Sequence, residues 1–375
     1  MAASQDALYA EIDLDLSWSE RDLPERDRTK HVHRLHPYLG KFVPQLVEVL
    51  LQRYVRPGGP VLDPFAGSGT TLVQALESGH DVTGVDIAEF NCLLMRVKTD
   101  EYNLFTLAHE LHHAGRRLDN FDGAGADYPA DASPYLRRWF APQAAAELLF
   151  WRSLVPEYQY ADVLRVVLAR AARSARRTPH FDLDFPRSPQ VEPYWCHKHR
   201  RTCRPVETAR QFLRRYALDT LDRIKVFAAV RRYGAAAEIH HADSRHVALA
   251  GTYGALLTSP PYPGLIDYHE QHRYAYDLLG LGDRREAELG SAEIGTSRAA
   301  LQAYEDGVVA TLGNTLPNLS DGSPVLIVVN DRRRLYPRIL ERAGLRLEER
   351  LRRHVNRRTG RRSGEFFEDV LVARH

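Results

Sequence analysis

Val61-Leu62-Asp63-Pro64-Phe65-Ala66-Gly67-Ser68-Gly69-Thr70-Thr71, with Asp81-Val82-Thr83-Gly84-Val85-Asp86 following it, decides the fold. Two apolar residues run into an acid, and a loop with glycines at alternate positions follows. Residues 72–78 then read as a helix closed by Gly79-His80, and the second string reads as a strand that again ends in an acid. Strand, glycine loop, helix and a strand ending in a carboxylate form the opening unit of a doubly wound, nucleotide-binding α/β sheet.

Upstream, His36-Pro37-Tyr38-Leu39-Gly40-Lys41-Phe42-Val43-Pro44 leads into an apolar periodic stretch that predicts a helix beginning near Pro44 and running to residue 54. Downstream, residues 105–235 change character, with helical segments rich in Ala, Arg and aromatics separated by Pro-containing turns such as 178–193. A long amphipathic helix is expected within 206–233, with Phe212, Tyr216, Leu221, Ile224 and Phe227 near one face. Strand and helix alternation resumes at Glu238-Ile239-His240, Ala255-Leu256-Leu257 and residues 325–329. Two extended runs, 345–355 and 366–373, predict a hairpin at the sheet edge. One sheet is thus split by an insert: residues 1–104 carry the N-terminal segment and first half, 105–235 the helical insert, and 236–375 the second half.

The 375 residues are 44% hydrophobic, enough for a sizeable core, and the formal charge is only +2. Arginine nevertheless clusters locally, in residues 170–177, at Arg200-Arg201 and in residues 350–362, a pattern that suits a polyanionic partner and equally an arginine-rich surface. Three cysteines are too few for a disulfide scaffold, and no run is long enough to span a membrane. A reducing, cytoplasmic setting is the expectation.

Gly67 and Gly69 permit a tight turn and let backbone N–H groups approach a ligand. Thr70 stands where a phosphate-binding loop requires lysine, and the three-glycine dinucleotide spacing is missing. Asp63 at the strand end favours a cationic ligand over a pyrophosphate, which points to the sulfonium of S-adenosylmethionine. Asp86 either accepts both hydroxyls of a ribose or caps the helix that starts near Ala88, and the two roles are compatible. The string Leu256-Leu257-Thr258-Ser259-Pro260-Pro261-Tyr262 is a strand running into a stiff corner. Its two prolines fix φ and remove backbone donors, so that Ser259 Oγ and the Pro260 carbonyl can accept from an amino group. Tyr262 offers a flat face to an extruded base.

These three strings resemble the cofactor loop, the catalytic loop and the N-terminal cofactor-side motif of the DNA amino-methyltransferases, the N4-cytosine and N6-adenine family. The resemblance covers roughly residues 30–100 and 236–375. It implies a Rossmann-like methyltransferase sheet with an inserted target-recognition region, S-adenosylmethionine as cofactor and double-stranded DNA as partner. It further implies cofactor contacts from Lys41, Phe42, Asp63, Pro64, Phe65, Gly67, Gly69, Thr70, Asp86 and Asp243, the last receiving the adenine amino group. Read from the residues alone, Asp243 is a turn residue. The catalytic residues would be Ser259, Pro260, Pro261 and Tyr262. Serine at the first catalytic position is commonest among the N4-cytosine enzymes of the family, whereas Asp or Asn is commoner for N6-adenine. The expectation is therefore a cytosine-N4 DNA methyltransferase, alone or with a cognate restriction endonuclease. N6-adenine, an amino group of structured RNA, and a non-catalytic DNA-binding scaffold are the alternatives.

In the insert, the basic stretch 165–177 with Trp139, Trp151 and Trp195 would grip phosphates and bases, or the tryptophans fill an ordinary helical core. Cys196-His197-Lys198-His199 and Cys203 are crowded within a few residues without a second distant ligand pair, so no metal site is expected.

Overall fold

The computed structural model describes residues 16–18, 21–40, 43–123, 127–180, 182–183, 186–355 and 366–374. Along the chain come α1 (Pro44–Tyr54), β1 (Val61–Asp63), α2 (Thr70–Ser78), β2 (Val82–Asp86), α3 (Glu89–Thr99), α4 (Leu104–Asp119), α5 (Pro142–Leu154) and α6 (Ala161–Ala175). Then follow β3 (Tyr194–Cys196), β4 (Arg201–Cys203), α7 (Arg210–Val230), β5 (Ala237–His241), β6 (Ala255–Thr258), α8 (Arg298–Thr315), β7 (Pro324–Val329), α9 (Tyr336–Arg342), β8 (Arg346–Val355) and β9 (Phe366–Arg374). No helix among the described residues is long and apolar enough to cross a membrane.

Contacts divide the chain into two units. The first combines Met1–Met95, Val230–Asp267 and Arg285–His375; the second combines Arg96–Ala229 with Tyr268–Arg284. The insert expected at 105–235 is therefore part of a larger unit that begins at Arg96 and also takes in Tyr268–Arg284, after β6.

The first unit holds a seven-stranded sheet in the order β5-β2-β1-β6-β7-β9-β8. Its first five strands are parallel, and β9 runs antiparallel between β7 and β8. β1 and β7 are buried along their whole length, which explains their unbroken apolar runs: parallel strands covered on both faces need no polar alternation. One covering layer is Tyr304, Val308 and Leu312 of α8 with Tyr336 and Ile339 of α9, packed on Leu62, Leu256, Val325 and Ile327. The edge strand β8 is charged and mostly exposed, with a register shift between Leu347 and Glu349, features that discourage pairing with another chain.

The second unit is mostly helical, with a small β3-β4 sheet. Two buried acids organise it. Glu147 accepts the Ala209 and Arg210 N–H groups at 2.6 and 2.8 Å at the start of α7, and Glu110 accepts Gln159 and Tyr160 N–H at 2.9 and 3.0 Å just before α6. Each carboxylate meets donors at a helix start, where negative charge is favoured. α7 covers 210–230 of the expected 206–233, and its buried stripe is Leu213, Ala217, Leu221, Ile224 and Phe227. Phe212 and Tyr216 are only half-buried. Trp139 and Trp151 are core residues, the latter donating to the Leu164 carbonyl at 3.1 Å, while Trp195 is 56% exposed. Arg170 is buried and paired with Asp219, and buried Arg176 lies over Tyr274. The basic stretch 165–177 therefore spends much of its charge inside its own unit.

Candidate active site

In a parallel sheet the carboxyl ends of neighbouring strands converge on one edge. Here that brings Asp63 (end of β1), Asp86 (end of β2), Asp243 (two residues past β5) and Ser259 (just past β6) to the same edge. The loops are then tied to one another. Thr258 donates to Asp63 Oδ1 at 2.6 Å, joining the β1 loop to the β6 corner. Gly67 N–H donates to Asp86 Oδ2 at 2.8 Å, and the Ser244 hydroxyl donates to the Pro64 carbonyl.

The glycine loop requires its glycines. Gly67 and Gly69 have φ of +53° and +81°, a region that side chains disfavour. A Cβ on Gly69 would lie 2.8 Å from Met95 Cγ, and one on Gly67 would lie 3.2 Å from the Tyr38 hydroxyl. That hydroxyl also accepts from Asn91 Nδ2 at 3.1 Å. So the His36-Pro37-Tyr38 motif docks on the loop through Tyr38, a contact the sequence reading did not single out. Lys41 and Phe42 lie outside the described residues.

The electrostatics favour a cation. Asp63 is 2% exposed, and burial pushes its carboxyl up to about 6, against the opposing pull of hydrogen bonds from Thr258, Thr71 and the Phe65 N–H. Burial likewise raises Asp86 to about 7, opposed by its bonds from Ala88, Asn91 and Gly67 and aided by the nearby charge of Glu288. Both carboxylates are strained toward neutrality, so a positive group beside them would be welcomed. Asp86 Oδ1 accepts Ala88 N–H at 2.8 Å and Asn91 Nδ2 at 3.0 Å, closing the turn just ahead of α3. A carboxylate offers about four lone-pair sites; Ala88, Asn91 and Gly67 take three, which leaves capacity for one further hydroxyl on Oδ2. Glu288, buried and also unforeseen, adds to the negative cluster.

Asp243 is different. Arg245 grips it through Nε, Nη2 and its backbone N–H, at 2.9 Å from Nε to Oδ1 and 2.9 Å from the backbone N–H to the same oxygen. Burial alone would raise this carboxyl, but the Arg245 bonds outweigh it and hold it low. The turn reading of Asp243 is thus what is seen, and an adenine amino group would have to share its oxygens with Arg245.

At the β6 corner, Ser259 Oγ donates to the Val328 carbonyl at 2.9 Å. The hydroxyl is held by the backbone of β7 and also shares a hydrogen bond with the Tyr262 side chain, which leaves part of its acceptor capacity to be offered. Pro260 is buried behind it. The Tyr262 hydroxyl donates to Glu368 Oε1 of β9 at 3.3 Å, and Glu368 is itself paired with Arg353 of β8 at 2.7 Å. Arg353 and Glu368 are 3% and 7% exposed. Burial and the Glu368 charge push the Tyr262 phenol well above its ordinary value, so it stays protonated. This support from behind had no signal in the sequence, since Tyr262 and Glu368 are 106 residues apart.

Beyond β7 a cavity of about 480 Å³ is lined by Asn330, Asp331, Arg332, Arg334, Arg350, Arg352, Phe367 and Asp369. Asp369 pairs with Arg350 at 2.7 Å, and Arg352 lies over the Phe367 ring. With four arginines to two acids the groove is cationic. Cys92 is fully buried, its thiol directed at the Asp86 and His240 carbonyls.

Comparison with known proteins gives a consistent picture. A family described as DNA methylase matches residues 10–96. The Type II methyltransferase M.MjaII of Methanocaldococcus jannaschii is 32% identical over an alignment covering 98% of this chain and 84% of the relative. The Type II methyltransferase M.MvaI of Kocuria varians is 28% identical over 38% of this chain and 34% of its own length. Among solved structures, the rRNA methyltransferase aviRa of Streptomyces viridochromogenes is 13% identical, covers 90% of this chain and 88% of its own, and has a TM-score of 0.37, too low to carry an argument.

Proposed function

The chain belongs to the N6/N4 DNA methylase family, and from that premise we propose that it methylates N4 of a cytosine turned out of duplex DNA. Its methyl donor is S-adenosylmethionine, which supplies a methyl group activated by a sulfonium leaving group. The residues at the sheet edge fit that donor: a glycine loop packed too closely to carry side chains, and the carboxylates of buried Asp63 and half-buried Asp86, whose charge a cation would compensate.

What favours cytosine is serine at the first catalytic position; the Ser259 to Val328 hydrogen bond supports its role as an acceptor for an amino group. An exocyclic amino nitrogen is a poor nucleophile because its lone pair is delocalised into the ring. A group that accepts its N–H protons orients the nitrogen and strengthens it as positive charge develops. Ser259, with its own proton committed elsewhere, acts as such an acceptor, and its neutral hydroxyl takes no proton at the moment of transfer. The proton leaves to solvent afterwards. Tyr262, anchored by Glu368, gives the base a ring to stack on. Extrusion is required because the amino group is otherwise out of reach inside the duplex. The arginine-lined groove beyond β7 contacts the phosphate backbone in this reading. Cys92, buried and bonded to backbone carbonyls, supplies no nucleophile, so transfer is direct. We further place the protein as the protective member of a restriction pair, since a relative of nearly equal span is a Type II methyltransferase.

The test is nucleoside analysis of DNA incubated with the protein and S-adenosylmethionine. 4-Methylcytosine is expected, abolished by Ser259→Ala with cofactor affinity retained. 6-Methyladenine as the product, or full activity in Ser259→Ala, overturns the reading.

A further inference from the structure

The second unit contains a cluster that methyl transfer does not use. β3 and β4 form a short hairpin in which Tyr194 opposes Cys203 and Cys196 opposes Arg201. Directly opposed residues share a face, and so do alternate residues of one strand. Cys196 and Cys203 therefore lie on one side of the hairpin, and Trp195 lies on the other. Between the strands the chain turns tightly, with His199 N–H donating to the Cys196 carbonyl and Arg200 at φ +51°. The turn brings His199 Nδ1 within 3.6 Å of Cys196 Sγ and 3.5 Å of Cys203 Sγ.

The reason for setting these residues aside in the sequence was the lack of a distant partner, and the fold supplies one. His180, 16 residues before Cys196, enters from the loop after α6, with Nδ1 at 3.7 Å from Cys196 Sγ. Tyr194 holds it there, its hydroxyl accepting the His180 backbone N–H at 3.0 Å and lying 2.9 Å from Nδ1. Ligand atoms of all four residues lie within 4.8 Å of one another. Both cysteines are buried.

We infer that His180, Cys196, His199 and Cys203 form a tetrahedral structural zinc site. The distances carry the argument. With Zn–S about 2.3 Å and Zn–N about 2.0–2.1 Å, a tetrahedral ion sets sulfur and nitrogen about 3.6 Å apart. Three of the four sulfur-to-nitrogen separations are 3.5, 3.6 and 3.7 Å, and the fourth, His180 to Cys203, is within 4.8 Å. Two thiolates and two imidazoles are a donor set that selects zinc over calcium or magnesium. Four protein ligands leave no open position, so the ion holds structure and performs no chemistry. Binding releases two thiol protons to solvent and takes the lone pairs of two neutral imidazoles. Tyr194 then keeps its bond from the His180 N–H. The segment needs such a clamp, since between α6 and α7 its only regular structure among the described residues is two three-residue strands. Closing it fixes exposed Trp195, Lys198, Arg200 and Arg201 on one rigid hairpin.

The experiment is metal analysis of the full-length protein purified under reducing conditions without added chelator. About one zinc per chain is expected, released when the thiols are titrated with a mercurial. Replacing zinc by cobalt(II) should give the intense visible bands of a tetrahedral ion with a thiolate charge-transfer band in the near ultraviolet. His199→Ala should lose the metal, and His197→Ala, in the same turn, should keep it. Wild-type protein that holds no zinc after exposure to it and dialysis, or that gives only the weak octahedral cobalt spectrum, overturns the inference. So does a Cys196–Cys203 disulfide in the freshly purified chain. Because the decisive measurements use wild-type protein, a variant that fails to fold does not blur the outcome.

Discussion

Replacing Asp63 with asparagine should make the free protein more stable and the cofactor complex weaker. Asp63 is almost wholly buried, and its carboxyl titrates near 6 where an unfolded chain titrates at 3.8. About two units of pKa correspond to roughly 3 kcal/mol. The sign follows from proton binding. Between these two values the folded state keeps a proton that the unfolded chain has lost, so this group favours folding fully below pH 3.8, and that contribution is lost as pH rises through 6. Asparagine keeps an oxygen for the Thr258 and Phe65 donors and carries no charge. The melting temperature of Asp63→Asn relative to wild type should therefore be near zero difference at about pH 4 and should climb to a gain of roughly 4 °C above pH 7. Calorimetry should show the converse for the ligand, with S-adenosylmethionine bound at least about tenfold more weakly by the variant at pH 7.5. Wild-type affinity should fall as pH drops through 6, since a proton then competes with the cation. A variant less stable than wild type at pH 7.5, or a stability difference independent of pH, would refute the reasoning.

Gly69→Ala places a methyl group 2.8 Å from Met95 Cγ on a backbone at φ +81°, so a loss of about 1–3 kcal/mol by thermal unfolding is expected, with cofactor binding weakened in step. Arg353→Met strands Glu368 inside the protein and should destabilise by about 3–5 kcal/mol; adding Glu368→Leu should recover most of that in denaturant titration. Tyr262→Phe retains the ring and should keep most activity, whereas Tyr262→Ala should lower kcat on the order of 10²-fold with cofactor affinity unchanged; equal rates for the two would count against stacking.

What could be read from the sequence was whatever is encoded locally. β1, the glycine loop, α2 and β2 follow from a contiguous string in which each residue's role depends on its near neighbours, and the final pair of strands was visible as two extended runs on either side of an Arg- and Gly-rich stretch. Asp63 and Thr258 each stand in such a local string, and the fold brings them into contact although 195 positions separate them. What escaped was long-range. Glu368 behind Tyr262, Glu288 beside Asp86 and His180 beside Cys196 carry no local pattern, and only packing brings them in. The insert's arginines misled in the opposite way. A run of basic residues shows that charge is present, but Arg170 and Arg176 are neutralised by Asp219 and covered by Tyr274, partners that the run itself does not contain.

The strand order has a consequence for how such a protein comes into being. Translation emits β1 and β2 early, yet their lateral partners β5 and β6 emerge about 150 residues later, a wait of roughly 10–30 s at ribosomal speed. β9, the latest of the described strands, then inserts between β7 and β8 and carries Glu368 to the back of Tyr262. A nascent chain therefore emits β1, β2, β5, β6 and β7 before β9 brings Glu368 to the back of Tyr262.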